Sequence, residues 1–229
     1  MSTLEVSHEE NVYFLLKKLC KDGVADADGS DLFVVFISND MKQAFFYILF
    51  SCINVRFIIV MKARVNISHC GIKRLVQTRD GIILWDYHAI CIQRKREGGS
   101  HLVWDLDSSL PFPSPLASYV SETIRPSFQL FSEYRRSFRI VHAPIFLRFF
   151  ASDRRHMKDP DGNWTAQPPA YEPIVAEDGT VHNLNEYMEI HASDELKNME
   201  ADLINSVFTQ QLGVAISENQ LEEFFAQIS

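Results

Sequence analysis

Apolar and polar positions along the chain follow several distinct periods, and each period predicts an element. Val12, Leu15, Leu16 and Leu19 recur at i, i+3, i+4 and i+7, the stripe of a helix buried along one side. Ser7, followed three positions later by Glu10, reads as a capping box. Lys17, Lys18 and Lys21 crowd the other end and Gly23 follows, which suits a helix C-terminus. His8 therefore falls in the first turn. Leu32 to Ile37 is an unbroken apolar run rich in Val and Phe, predicting a short strand covered on both faces.

Beyond Gln43 the texture changes. From Ala44 to about Gln77, Phe, Ile, Cys and basic residues are scattered without a clean period, and this segment is expected to lie outside the central strands. Order returns with Ile82 to Gln93 and Leu102 to Leu106, two strands joined across 94–100 with Gly98-Gly99 in the turn. Pro111, Pro113 and Pro115 predict an extended loop. Ser118 to Ile124 and Ser127 to Arg136 read as helices, Phe138 to His142 as a strand, and Pro144 opens a helical run through Phe150. Ser152 to Tyr171 is a polar, Pro-rich loop of a length that usually carries function or disorder. The remainder reads as helical and acidic. Ser193 to Phe208 has helical spacing, and Ser217 to Gln220 is an S-x-x-Q capping pattern ahead of Leu221, Phe224 and Phe225.

Composition narrows the class. At 229 residues, with 46% hydrophobic and 12% aromatic content, the chain has enough apolar mass for one packed domain. A net charge of −8 gives no basic face for nucleic acid. The short clusters Arg94-Lys95-Arg96 and Arg135-Arg136 read as solvated surface. Cys20, Cys52, Cys70 and Cys91 match neither a zinc spacing nor a small disulfide framework. Met1 to Val6 lacks the basic start and apolar core of a secretion signal, so the cytoplasm, with the nucleus also open, is the expected compartment. The one membrane candidate, residues 44–62, carries Arg56 at its middle. On insertion scales that costs about 2.5–3.5 kcal/mol, and no membrane span is expected.

Chemistry concentrates on the hairpin. Strand parity puts Asp86, His88 and Ile90 on one face and Trp85, Tyr87 and Ala89 on the other. Setting His88 opposite Asp105 centres the turn between Arg96 and Glu97, beside the glycine pair. Opposed residues share a face, with Cβ atoms about 4.5–5.5 Å apart. A carboxylate there fixes the imidazole tautomer and stabilises the imidazolium. The same pair also fits a histidine satisfied for structural reasons alone. A nucleophile would be best placed at a helix N-terminus facing the sheet, where the dipole and free N–H groups lower a thiol pKa and hold an oxyanion. The first turn after Ser7 is such a place, and it holds His8.

Several long motifs in order resemble the protein N-terminal glutamine amidohydrolase family, most closely its plant members. They are E-E-N-V from Glu9, V-F-I-S-N from Val35, W-D-Y-H from Trp85, W-D-L-D from Trp104, L-P-F-P from Leu110, F-A-S-D-R-R-H-M-K from Phe150 and D-G-N-W from Asp161. The resemblance spans 9–43 and 81–190. It implies an α/β fold with a papain- or transglutaminase-like three-layer core, in which a mixed, mainly antiparallel sheet is flanked by helices. Residues 1–190 would be the catalytic domain and 191–229 a helical extension packed on it. It further implies conversion of N-terminal glutamine to glutamate and ammonia for N-degron turnover, by a monomer needing no cofactor and no metal, with a Cys-His-Asp triad. The partners implied are proteins beginning with glutamine.

Carried over by motif, the histidine is His88 and the aspartate Asp105, while the cysteine slot before E-E-N-V is His8. Cys20 does not replace it, lying about 18 Å further along a helix, and parity turns Cys91 away from His88. Glu9, Asp86 and Asp153 are candidates to receive the substrate α-ammonium. A metal set of His8, His88 and Asp105 is a minor third reading. His8 and the unusual segment 44–77 are two departures from the family, suggesting an alternative transcript or a mis-joined gene model. The expected function is the family's amidohydrolysis, disabled at its first step. The other reading is a non-catalytic binder of N-terminal glutamine or a mis-spliced pseudoenzyme product.

Overall fold

A computed structural model describes residues 8–39, 44–47, 82–85, 87–95, 99–124, 135–165 and 167–228, with the backbone alone at 8, 44–47 and 82–85. Its centre is strand β1 (Leu32–Ser38), every residue of which is buried. Period-2 alternation divides β1 between two cores. Phe33, Val35 and Ile37 enter one apolar cluster, and Leu32, Val34 and Phe36 enter the other. On its flanks run β4 (His88–Gln93) and β7 (Ser137–His142), both antiparallel to it. β5 (Leu102–Trp104) and β6 (Ser114–Pro115) extend the sheet beyond β4, and β8 (Val214–Ser217) extends it beyond β7. The order is β6-β5-β4-β1-β7-β8, and every paired strand is antiparallel. The expected mainly antiparallel sheet flanked by helices is thus present, with antiparallel pairing between all its strands, and the one parallel contact among the described residues is an isolated bridge between Glu195 and Ala215.

Helices cover both faces. α1 (His8–Lys21) lays Val12, Leu16 and Leu19 onto the Val34/Phe36 side, together with α3 (Ala143–Phe149) and α4 (Leu184–Met188). α2 (Leu116–Tyr119) runs into a π-helical turn at Val120–Ile124 and covers the Val35/Ile37 side with α5 (Ala201–Asn205) and α6 (Leu221–Gln227). The result is a helix–sheet–helix arrangement in three layers.

Four expectations are corrected. Ile82 to Gln93 is not one strand. β3 (Ile82–Trp85) pairs with β2 (Ala44–Tyr47) in a separate two-stranded sheet, and β4 starts at His88. The hairpin register pairs Cys91 with Trp104 and Ile92 with Val103, which centres it one residue later than expected and brings Ile90, not His88, abreast of Asp105. The last segment is not wholly helical. It supplies the edge strand β8, and Ser193 to Phe208 is broken into α5 between two 3₁₀ turns. Arg136 is not on a solvated face. It is fully buried and paired with Glu218 through Nε at 2.7 Å. Ser7 and residues 127–134 of the helix expected over Ser127 to Arg136 lie outside the described residues, as do 48–80, which hold most of the atypical segment and of the membrane candidate. Among the described residues no helix is long and apolar enough to cross a membrane.

The capping pattern ahead of α6 is realised. Ser217 and Gln220 exchange backbone and side-chain bonds across the turn, as an S-x-x-Q box requires. The β8 edge rests on Gly213, whose φ is +60° and whose Cβ, if it had one, would stand 1.9 Å from the Ile140 carbonyl oxygen. Any side chain there meets both left-handed strain and a backbone clash. Gly213→Ala should cost about 2 kcal/mol or more and lower Tm by roughly 4 °C or more in a thermal melt. A melt within a degree of the parent would mean that β8 is not docked as described.

Candidate active site

Asp105 lies one residue past the end of β5, where the ladder no longer holds the backbone, so side-chain and turn bonds fix it. His88 Nε2 lies 3.1 Å from Asp105 Oδ1, and the Asp107 backbone N–H donates to the same oxygen at 2.9 Å. The Tyr119 hydroxyl donates to Oδ2 at 2.8 Å. His88 and Asp105 share a face diagonally rather than directly opposed, because a register shift of two residues preserves parity. Both are buried. Burial pushes the Asp105 carboxyl up, but His88, by charge and hydrogen bond, then the Asp107 N–H and the Tyr119 hydroxyl outweigh it, so the group ends below its ordinary value. Burial and the neighbouring Asp105 hold the Tyr119 phenol un-ionised, well above its ordinary range. With Nε2 turned to Asp105, proton exchange with a nucleophile would run through Nδ1.

α1 approaches from the opposite face and meets the start of β4 at its N-terminus. Residue 8 opens the helix. Its neighbour Glu9 is fully buried and accepts the hydroxyl of Tyr87, the residue immediately before His88. His156 Nε2 stands 3.7 Å from the other Glu9 oxygen. Burial lowers the His156 pKa, against the pull of Glu10 and Asp153.

The following residue makes the strongest anchor. The Glu10 carboxylate is gripped by Arg154 through Nε at 2.9 Å and Nη2 at 3.1 Å, and receives the Tyr171 hydroxyl at 2.8 Å. Arg154 also donates to the carbonyls of Pro169, Tyr171 and Glu172 and lies over the Tyr171 ring at 4.6 Å. Its φ of +62° is the one left-handed non-glycine value among the described residues, the kind of strain that persists where surroundings over-determine a conformation. Hence the long loop after Ser152 is tied to the N-terminal turn of α1. The sequence pattern suggests a capping role for Glu10, and nothing in it marks Arg154, Tyr87 or Tyr119. The F-A-S-D-R-R-H-M-K motif held Arg154 in view, but nothing in spacing distinguished it from the exposed Arg155.

The remaining candidates separate. Asp153 is held by Arg155 at 2.6 Å and lies 3.1 Å from His182 Nδ1; the Arg155 hydrogen bonds, foremost, depress its pKa against the opposing effect of burial. Glu9 is likewise engaged within the chain, and Asp86 lies outside the described residues. For His8 only the backbone position is described. Cys91 is fully buried and burial drives its thiol far up, while Cys20, raised by burial and then Asp31, lies at the far end of α1; neither is poised as a thiolate. Cys52 and Cys70 are outside the described residues. His88, Asp105 and Asp107 each bring one potential ligand atom to within 4.8 Å of the others. Asp105 already accepts three donors, so a metal there would have to displace the His88 bond.

A profile of the N-terminal glutamine amidase family matches residues 51–225, a span that begins inside the atypical segment and leaves out α1. The chain is 54% identical to the protein N-terminal glutamine amidohydrolase of Arabidopsis thaliana over 96% of its own length and 89% of that protein. It is 48% identical to that of Oryza sativa subsp. indica over 96% of its length and 85% of the relative. The protein of the same name from Bos taurus is 38% identical over 51% of this chain and 55% of its own.

Two outcomes test the geometry. Arg154→Met leaves the buried Glu10 charge uncompensated and should cost about 3–5 kcal/mol in urea unfolding, with Glu10→Gln on top restoring part of it. Strict additivity of the two would show that the pair is not coupled. The second concerns acid. Because the folded Asp105 pKa lies below its ordinary 3.8, the stability it contributes is complete above that value and lost as pH falls through the folded one. The urea midpoint should therefore fall less steeply below pH ~4 in Asp105→Asn than in the parent. Parallel acid limbs would remove Asp105 from the ionised groups of the folded state.

Proposed function

The chain belongs to the protein N-terminal glutamine amidohydrolase family, and on that premise we propose that its site is shaped to hydrolyse the δ-carboxamide of an N-terminal glutamine, a linear C–N amide bond, with the covalent step disabled by His8. The observation that carries this reading is the buried His88–Asp105 pair at the start of β4, joined through Tyr87 and Glu9 to the first turn of α1. In the complete chemistry a thiolate at residue 8 attacks Cδ, having given its proton to His88. The tetrahedral oxyanion collapses, the C–N bond breaks, and His88 returns the proton to departing ammonia. Water, deprotonated by His88, then attacks the thioester; glutamate forms and the thiol is regained. Asp105 holds the ring and stabilises its charged form. The α-ammonium would be received by a carboxylate beside the site, with Asp86 adjacent to Tyr87, and Glu9 and Asp153, as the candidates.

With an imidazole at residue 8 there is no thiol to form the thioester. Loss of the nucleophile from a comparable triad costs on the order of 10⁴–10⁶ in rate. That substitution also favours a second reading, a non-catalytic protein that still captures N-terminal glutamine. The net charge of −8 supports a protein partner rather than nucleic acid. A monomer acting without a cofactor, in the cytoplasm or nucleus, on proteins headed for N-degron turnover, completes the proposal.

The chain should release ammonia from a glutamine-initiated peptide at a rate near background, and His8→Cys should restore turnover, because a thiol in the first helical turn gains a lowered pKa and His88 as base. An asparagine-initiated peptide, one methylene short, should remain roughly 100-fold poorer. Ammonia assays with Gln, Asn and Glu peptides, beside calorimetric binding of the Gln peptide, separate the readings. Strong turnover by the parent would show that the nucleophile is another residue. A folded but inert His8→Cys that binds the Gln peptide would favour the binder.

A further inference from the structure

Asp105 stands beyond the end of its strand, and its two carboxylate oxygens are served unequally. Oδ1 takes His88 Nε2 and the Asp107 N–H, whereas Oδ2 takes only the Tyr119 hydroxyl among the described residues. We infer that Tyr119 is the positioning residue that fixes Asp105, and through it His88, by donating its hydroxyl proton to Asp105 Oδ2. The inference rests on the reading of His88 and Asp105 as the acid–base pair.

Three observations support it. The Tyr119 ring is wholly enclosed in the core cluster beneath β1 and β4, so its hydroxyl has one place to go. The bond is made to an ionised acceptor, which has no proton to give, so the direction of donation is fixed. The helix that carries Tyr119 is itself pinned. α2 ends at Tyr119 and the chain continues as the π-helical turn Val120–Ile124, a distortion that recurs at functional sites. The Ile124 carbonyl at its end receives Arg136 Nη2 at 2.5 Å, and Arg136 Nε is paired with Glu218 at 2.7 Å just ahead of α6. Arg136 and Glu218 are both buried. A run of buried polar contacts thus leads from Glu218 through Arg136 and the π turn to Tyr119, Asp105 and His88.

The bond has an electrostatic consequence that packing alone does not. A donor on Oδ2 spreads the carboxylate charge and makes the His88–Asp105 pair a weaker base. Removing the donor leaves a buried oxygen unserved, so the pair binds its proton more tightly.

Tyr119→Phe keeps the ring and removes the bond. In the unsubstituted chain and in Tyr119→Phe, NMR of ring-labelled histidine should show the His88 titration moving up by about one pH unit. In the His8→Cys background the same change should lower kcat roughly tenfold with KM little altered, and carry the acid limb of the pH profile upward with it. An unshifted His88 titration overturns the proposal, because a purely structural tyrosine would lower stability without moving that midpoint. Should Tyr119→Phe fail to fold, 3-fluorotyrosine at 119, a more acidic phenol and stronger donor, should move the midpoint the opposite way, and no movement again overturns it. If His8→Cys proves inert, the functional reading fails while the His88 titration still decides the role of Tyr119.

Discussion

The double-sided burial of β1 is the constraint on which the remainder depends. Its alternate residues enter two cores at once, so α1 and α2 are placed by the same seven residues although they touch opposite faces. β4 is registered against β1 by the pairing of Ile37 with His88 at one end and Leu32 with Gln93 at the other. A slip of one residue would exchange every inward side chain for an outward one, carrying His88 away from Asp105. The site is therefore an outcome of sheet register: His88 is the last β4 residue held by β1, at the point where helices of both layers converge.

Where they converge, polar groups are buried in linked sets. Glu10 with Arg154, Arg136 with Glu218, and His88 with Asp105 are each withdrawn from water. Burying charge is costly, and such pairs add little net stability over apolar residues of the same size, but breaking one is severely destabilising. Their effect is to exclude alternatives. α1 can dock in only one way that leaves Glu10 in the fork of Arg154 and Glu9 against Tyr87. The loop after Ser152, with little regular structure of its own, is held by the same arginine through three carbonyls.

Residue 8 opens α1, and its neighbour Glu9 is bonded to Tyr87, the residue before His88. The two-stranded β2–β3 sheet stands outside the six-stranded one, so residues 44–47 take no place in the β1–β4 ladder.

Much of this was legible in local pattern. The stripe from Val12 to Leu19, the apolar run of β1 and the Ser217–Gln220 box each depend on residues within a turn or a strand, where spacing alone dictates which side chains share a face. His88 and Asp105 were legible for the same reason: parity brings them to one face whichever even register the hairpin adopts. Their exact pairing was not, since it turns on how β4 is held by β1. Equally illegible were the break before His88, the strand β8 inside an acidic, helix-spaced segment, and the burial of Arg136 and Arg154. Each is settled by a partner far away in the chain, Glu218 for Arg136 and Glu10 for Arg154. Tyr119 belongs with them. A tyrosine on a short helix carries no sequence signal until the fold brings its hydroxyl to a carboxylate fourteen residues earlier, because only tertiary packing decides which buried donor meets which buried acceptor.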